Sequence, residues 1–176
     1  MRTLTDPKKI EKFMDALGSR VKGSARVYFT GGVTAVLLGW RSSTVDIDLK
    51  FVPDLDELFR QLPRLKEELE INIELAAPSD FIPALPGWEE RSIFIGKKGK
   101  LHFYHFDAYS QALSKIERGH VQDLTDVESM FDSNLINAME LWRLFNEIRS
   151  QLYRYPAIDP DDFEAKVRDA ANQFSG

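Results

Sequence analysis

Cysteine is absent from the 176-residue chain, which excludes disulfides, thiolate metal sites and a cysteine nucleophile, and with them a secreted disulfide scaffold. No apolar run approaches the roughly 20 residues of a membrane span. The opening MRTLTDPKKIEKF is charged where a signal peptide needs an apolar core. A soluble chain in a reducing cytoplasm is the expectation. Internal repeats, low-complexity tracts and a Pro/Gly/Ser-rich linker are also missing. A net charge of -5 argues against a broadly basic face for non-specific nucleic-acid binding and leaves room for a local patch. What is present is ordinary globular composition, 43% hydrophobic and 29% charged, with 12 Phe as bulky core material. That length suits one domain with a substantial core, or a core domain with a helical appendage.

The periodicities predict a mixed front and a helical back. Asp6-Pro7 reads as a cap and first-turn proline, followed by Ile10, Phe13, Met14 and Leu17 at helical spacing. ARVYFT is a strand ending at Gly31-Gly32, VTAVLLG a short buried helix, and TVDIDLKFV a second strand ending at Pro53. In that strand Val45, Ile47, Leu49 and Phe51 fall on one face and Asp46, Asp48 and Lys50 on the other. Asp54 is expected to cap a helix interrupted at Pro63, with resumption through Leu65 and Leu69 left open. INIELA is a third strand, and RSIFIG with KLHFYHFD makes a hairpin around KKG, about five strands in all. After Asp107 come helices over AYSQALSKIERG, LTDVESMF (with Leu124, Val127 and Phe131 in register), NLINAMELWRLFNEIRSQLYRY, and a last one opened by Asp159-Pro160. The expected architecture is α+β, a small mixed sheet flanked by helices with a helical C-terminal region packed on it. The expected division is 1–107 and 108–176.

The chemistry concentrates between Thr30 and Phe51. Asp46 and Asp48 project from the same face of a strand with carboxylates close enough to share a divalent cation or bridge two; without one they repel. Such hard oxygen ligands suit magnesium or manganese, held by one or two carboxylates and the phosphates of a substrate. Gly31 and Gly32 let phosphates approach the backbone, and the helix after them offers N–H groups to an anion. Arg41, Ser43 and Thr44, in RSST, supply a guanidinium and hydroxyls for phosphate contacts. Taken singly, a glycine pair is usually a turn and an Asp-x-Asp a polar strand edge. A helix-sized spacer that brings the second strand back beside the first sets them together.

Gly-Gly, a short helix and then RSSTVDIDL resemble the core signature of the DNA polymerase β-like nucleotidyltransferase superfamily. That resemblance implies a mixed sheet flanked by helices, Mg²⁺ or Mn²⁺ at Asp46 and Asp48, donor phosphates at Gly31 and Gly32, and a nucleotidylated hydroxyl with pyrophosphate released. It also implies a third carboxylate on a later strand. Glu74 in INIEL is the first candidate and Asp107 the second, with Asp107 better placed as the N-cap of the next helix than as a metal ligand. ALSKIERGHVQDLTDV resembles a motif of nucleotidyltransferase-like toxins from toxin-antitoxin and abortive-infection systems. By that resemblance Lys115 contacts donor phosphates and Asp123 joins the site, with Arg118 and Asp126 supporting. The implied partners are a nucleoside triphosphate, an RNA, protein or small-molecule acceptor, and a cognate antitoxin.

Three other features invite a functional reading. His102 and His105 are separated by an odd number on a strand, so they face opposite ways and cannot chelate one ion together. The tip GKKGK could grip RNA phosphates, although hairpin turns are often lysine-rich. Trp142, Phe145 and Ile148 are at core spacing on a helix. The alternative to an enzyme is a binding module of the same fold that keeps its carboxylates without turnover.

Overall fold

The computed structural model describes residues 3–174. The protein is α+β, built on a five-stranded mixed sheet with flanking helices. The chain divides into two compact units: residues up to Ala77 with Ser92–Phe106, and Pro78–Arg91 with the residues from Asp107 on.

The first unit runs α1 (Pro7–Arg20), β1 (Ala25–Thr30), α2 (Gly32–Leu37), β2 (Asp46–Val52), α3 (Asp56–Leu69), β3 (Asn72–Leu75), β4 (Ile93–Lys98) and β5 (Leu101–His105). The strand order is β3-β2-β1-β5-β4, with β1 antiparallel to β2 and parallel to β5, β2 parallel to β3, and β4 antiparallel to β5. Helix α1 starts where Asp6 accepts a hydrogen bond from the Lys9 N–H and Pro7 supplies the first helical φ. Its apolar stripe, Ile10, Phe13, Met14 and Leu17, is buried with Leu58, Leu62 and Leu65 of α3 against Val27, Phe29, Ile47, Leu49, Phe51 and Phe103 of the sheet. Each such side chain contributes about 1.5–3 kcal/mol relative to exposure. This burial fixes the sheet's register. The other sheet face takes the intervening residues, and the site is there.

Three local expectations change. Helix α3 runs unbroken through Pro63, because Leu58, Leu62 and Leu65 are buried on one side of the helix while the proline is exposed on the other. Its N-cap is Leu55 rather than Asp54, with no side-chain capping bond. Val45 is 64% exposed and lies before β2. Thr44 makes a two-way backbone bridge with Thr5, at 2.8 and 2.9 Å, so Val45 leaves the pleat that the alternation assigned to it.

The second unit is helical: a 3-10 turn at Pro78–Asp80, α4 (Trp88–Arg91), α5 (Ala108–Arg118), α6 (Val121–Asp132), α7 (Ala138–Ile148), a 3-10 stretch Arg149–Arg154, and α8 (Pro160–Gln173). The long run from Asn134 to Tyr155 is therefore not one helix. Asn137 caps α7 by accepting from the Glu140 N–H, and the last turn tightens after Ile148. Phe145 and Phe163 meet edge to face at 5.0 Å between α7 and α8, and Phe131 stacks on Phe174 at 4.5 Å. Leu124, expected in the core stripe of α6, is 47% exposed; Asp123 and Asp126 take the buried positions beside Val127 and Met130.

Candidate active site

Because Ile47, Leu49 and Phe51 face the core, Asp46 and Asp48 face the opposite side of β2. The parallel register with β3 sets Asp48 across from Glu74 and Asp46 across from Asn72. One carboxylate oxygen from each of Asp46, Asp48 and Glu74 lies within 4.8 Å of the others, the first two half-buried and Glu74 exposed. Asn72 donates its side-chain N–H to Asp46 Oδ1 and so orients that carboxylate. The sequence pattern passed over Asn72, yet its position two before Glu74 on one strand already assigns it to the same face. Among the described residues this is the group of acids and histidines able to supply three ligand atoms to one ion.

The glycine turn meets this cluster edge-on. Thr30 pairs with Asp48 across β1 and β2, which brings the residue after Thr30 against the carboxylate. Gly31 has φ +64°, and a Cβ there would sit 2.8 Å from Asp48 Oδ2. Only glycine combines that backbone with that approach. Gly32 is excluded from carrying a side chain for another reason: its Cβ would fall 1.9 Å from Thr44 Oγ1 and 3.4 Å from an Arg41 nitrogen. Thr44 is buried and donates its hydroxyl to the Asp46 carbonyl at 3.2 Å. Arg41 and Ser43 are half-buried on the segment that leads into it. The glycines, Arg41, Ser43, Thr44 and the acids thus belong to one corner of the sheet.

A second buried contact holds that corner. His105, at the end of β5 and 4% exposed, shares a 3.0 Å hydrogen bond through Nδ1 with Thr34 Oγ1 in the first turn of α2. Burial pushes its pKa down to about 4, so the ring is neutral near pH 7. His102 is half-buried on the other side of the strand, beside Phe94 with ring centroids 6.3 Å apart. Nothing in the spacing of the two histidines pointed to Thr34 as the partner, since that contact depends on how α2 folds back.

Lys115, Asp123, Arg118 and Asp126 lie in the second unit. Lys115 is buried, with Nζ 2.9 Å from Asp126 Oδ2 and 3.6 Å from Asp123 Oδ1, and Arg118 grips both oxygens of Asp123 at 2.8 and 2.6 Å. Burial works against ionisation of Asp123, but the Arg118 hydrogen bonds and the neighbouring Lys115 charge outweigh it and hold the carboxyl below the usual carboxylate range. Asp107 caps α5, accepting from the Tyr109 and Ser110 N–H groups, and is clasped by Arg91 at 3.1 and 2.9 Å. At the hairpin tip, Lys98 is engaged by Glu11 and Asp15 at 2.7 and 3.0 Å.

Over residues 8–169 the chain matches the family described as "Nucleotidyltransferase of unknown function (DUF6036)". No curated protein and no solved structure matches it. The chain belongs to this nucleotidyltransferase family.

Proposed function

We propose that the chain transfers a nucleoside monophosphate from a nucleoside triphosphate to a hydroxyl acceptor in a metal-dependent reaction. The observation that carries this reading is the meeting of Asp46, Asp48 and Glu74 within 4.8 Å beside a glycine turn that no side chain could occupy. Three hard oxygen donors on one sheet face fit magnesium or manganese, with ligand positions left for phosphate oxygens. A cation bound there would neutralise charge on the triphosphate and favour ionisation of the acceptor hydroxyl. The residues of this chain do the rest. Asn72 keeps Asp46 turned toward the cluster, the Gly31-Gly32 backbone admits the phosphates, and Arg41 and Ser43 border their path. The acceptor oxygen forms a bond to the α-phosphorus, the bond from that phosphorus to the bridging oxygen breaks, pyrophosphate leaves, and the acceptor proton passes to a carboxylate of the cluster.

The nucleotide contacts implied for Lys115 and Asp123 would have to be made by groups already paired with Asp126 and Arg118, so the proposal is carried by the first unit. The toxin-like role and a cognate antitoxin rest on the resemblance of that same segment. The test is incubation with each triphosphate labelled at the α- or the γ-phosphate, Mg²⁺ or Mn²⁺, and cellular RNA or protein, beside an Asp46→Ala/Asp48→Ala variant. Transfer of the α-label alone, lost in the variant, is expected. Label transfer that survives in the variant would sink the assignment, as would release of inorganic phosphate or a free monophosphate without transfer.

A further inference from the structure

The sheet face that carries the acids also carries a strip of different chemistry. Residues directly opposite one another in a ladder point the same way, so Tyr28, across from Lys50, and Thr30, across from Asp48, share the acids' face. Strands β5 and β4 extend that face outward. Tyr104 is in register with Tyr28 and with Phe94, and His102 with Arg26 and with Lys97. The rings touch in sequence: Tyr28 stacks on Tyr104 at 5.2 Å, Phe94 meets Tyr104 edge to face at 5.5 Å, and His102 lies 6.3 Å from Phe94. Tyr28 is buried and backs the accessible part of the strip: Phe94 is 54% exposed, His102 and Tyr104 are half-exposed, and Lys97 and Lys100 are exposed at the same end.

Charge is distributed unevenly. Strands β1, β4 and β5 contain no aspartate or glutamate, in a chain that has 28 of them. Lys98 is neutralised by Glu11 and Asp15, but Lys97 points with His102 to the aromatic side. An exposed ring backed by other rings and bordered by cations, on strands that carry no carboxylate, matches the two requirements of a single-stranded nucleic acid: a flat apolar surface for an unstacked base and positive charge for its phosphates. A base-paired duplex has no free base face to offer that ring. Strand β4 lies three strand spacings from β2, about 14 Å, within reach of a short oligonucleotide whose end lies at the acids.

We propose that this strip binds single-stranded polynucleotide, with bases stacking on Phe94 and its neighbours and phosphates on Lys97 and Lys100, and that the hydroxyl acceptor is the end of such a strand. The second clause rests on the nucleotidyl-transfer reading; the first stands without it. The test is fluorescence anisotropy of end-labelled single-stranded RNA and DNA 12-mers and of a duplex, at low salt and without triphosphate or divalent cation. Single strands should bind more tightly than duplex. Phe94→Ala and Phe94→Leu should each weaken binding roughly tenfold, because both remove the π-face and only one removes the apolar bulk, whereas Phe94→Trp should preserve it. Lys97→Ala should reduce the slope of log affinity against log salt by about 0.7. Equal affinity of wild type, Phe94→Ala and Phe94→Leu, or preference for duplex, overturns the strip. α-Label transfer without strand binding removes this inference and leaves the transferase reading intact. The predicted binding pattern without any α-label transfer does the reverse.

Discussion

Replacing Asp48 by asparagine should move stability in opposite directions with and without a divalent cation. Asp48 has two carboxylate neighbours, Asp46 and Glu74, with ligand oxygens at 4.8 Å or less. At that separation each like-charge pair costs about 0.9 kcal/mol at the dielectric of water and about 3.5 kcal/mol at an effective value of 20. The acids are half-buried or exposed, so the lower figure governs, and physiological salt screens it by roughly half. Asparagine keeps the shape and leaves the Asn72 bond to Asp46 in place. In a chelating buffer, removal of the two screened pairs should therefore give the variant about 0.9 kcal/mol, a rise in Tm of roughly 2–4 °C for a chain of this size. With Mg²⁺ or Mn²⁺ the order reverses. Each tenfold excess of cation over its dissociation constant should add about 1.4 kcal/mol to the wild type, roughly 3–6 °C, and little to the variant. Thermal melts followed by circular dichroism, with and without cation, read both effects, and Glu74→Gln should behave alike. An Asp48→Asn protein less stable than wild type in chelator, or one that keeps the full cation shift, would refute the idea that mutual repulsion relieved by a metal governs this cluster.

His105 has a folded-state pKa of about 4 against an ordinary 6.5. The unfolded chain therefore binds the extra proton between those values, and stability should fall by about 3 kcal/mol as pH drops from 6.5 to 4. A urea-denaturation series against pH would show that slope reduced in His105→Gln. Lys115→Met leaves Asp126 buried without its nearest cation, at an expected cost of about 3–5 kcal/mol; Lys115→Met/Asp126→Leu should recover much of it in the same denaturation assay. Gly32→Ala places a methyl 1.9 Å from Thr44 Oγ1, and chemical denaturation should register a loss of about 1–3 kcal/mol, beyond what the modest Gly-to-Ala helix preference can offset.

What could be read in the sequence followed from short-range periodicity. Alternation in DIDLKF separated Ile47, Leu49 and Phe51 from the acids, and the register of β1 with β2 keeps that separation. The caps at Asp6, Asp107 and Asp159 are local devices, and the structure has each of them. What escaped the reading depends on partners distant in the chain. Thr44 leaves the strand pattern because Thr5 pairs with it, 39 positions earlier. In α6, Leu124 yields the buried face to two aspartates because Lys115 and Arg118 on α5 supply charge there, and apolar periodicity cannot see a buried ion pair. Pro63 misled for a related reason. A proline breaks a helix only where its missing hydrogen bond and its ring cannot be tolerated, and the buried leucines on the opposite side of α3 hold this one together.

The candidate site is a product of pairing register more than of any single residue. Parallel pairing of β2 with β3 sets Asp48 level with Glu74 and Asp46 level with Asn72, while antiparallel pairing of β2 with β1 sets Asp48 level with Thr30 and so against Gly31. The buried faces enforce both registers, since a slip of one residue in β3 would turn Ile73 out to solvent and Glu74 into the core. The same pleat leads from Asp48 and Lys50 through Tyr28 and Tyr104 to Phe94. An acidic corner and an aromatic, cationic flank therefore lie on one face of the sheet, on either side of the buried Tyr28, and the core packing beneath the sheet sets the registers that place them.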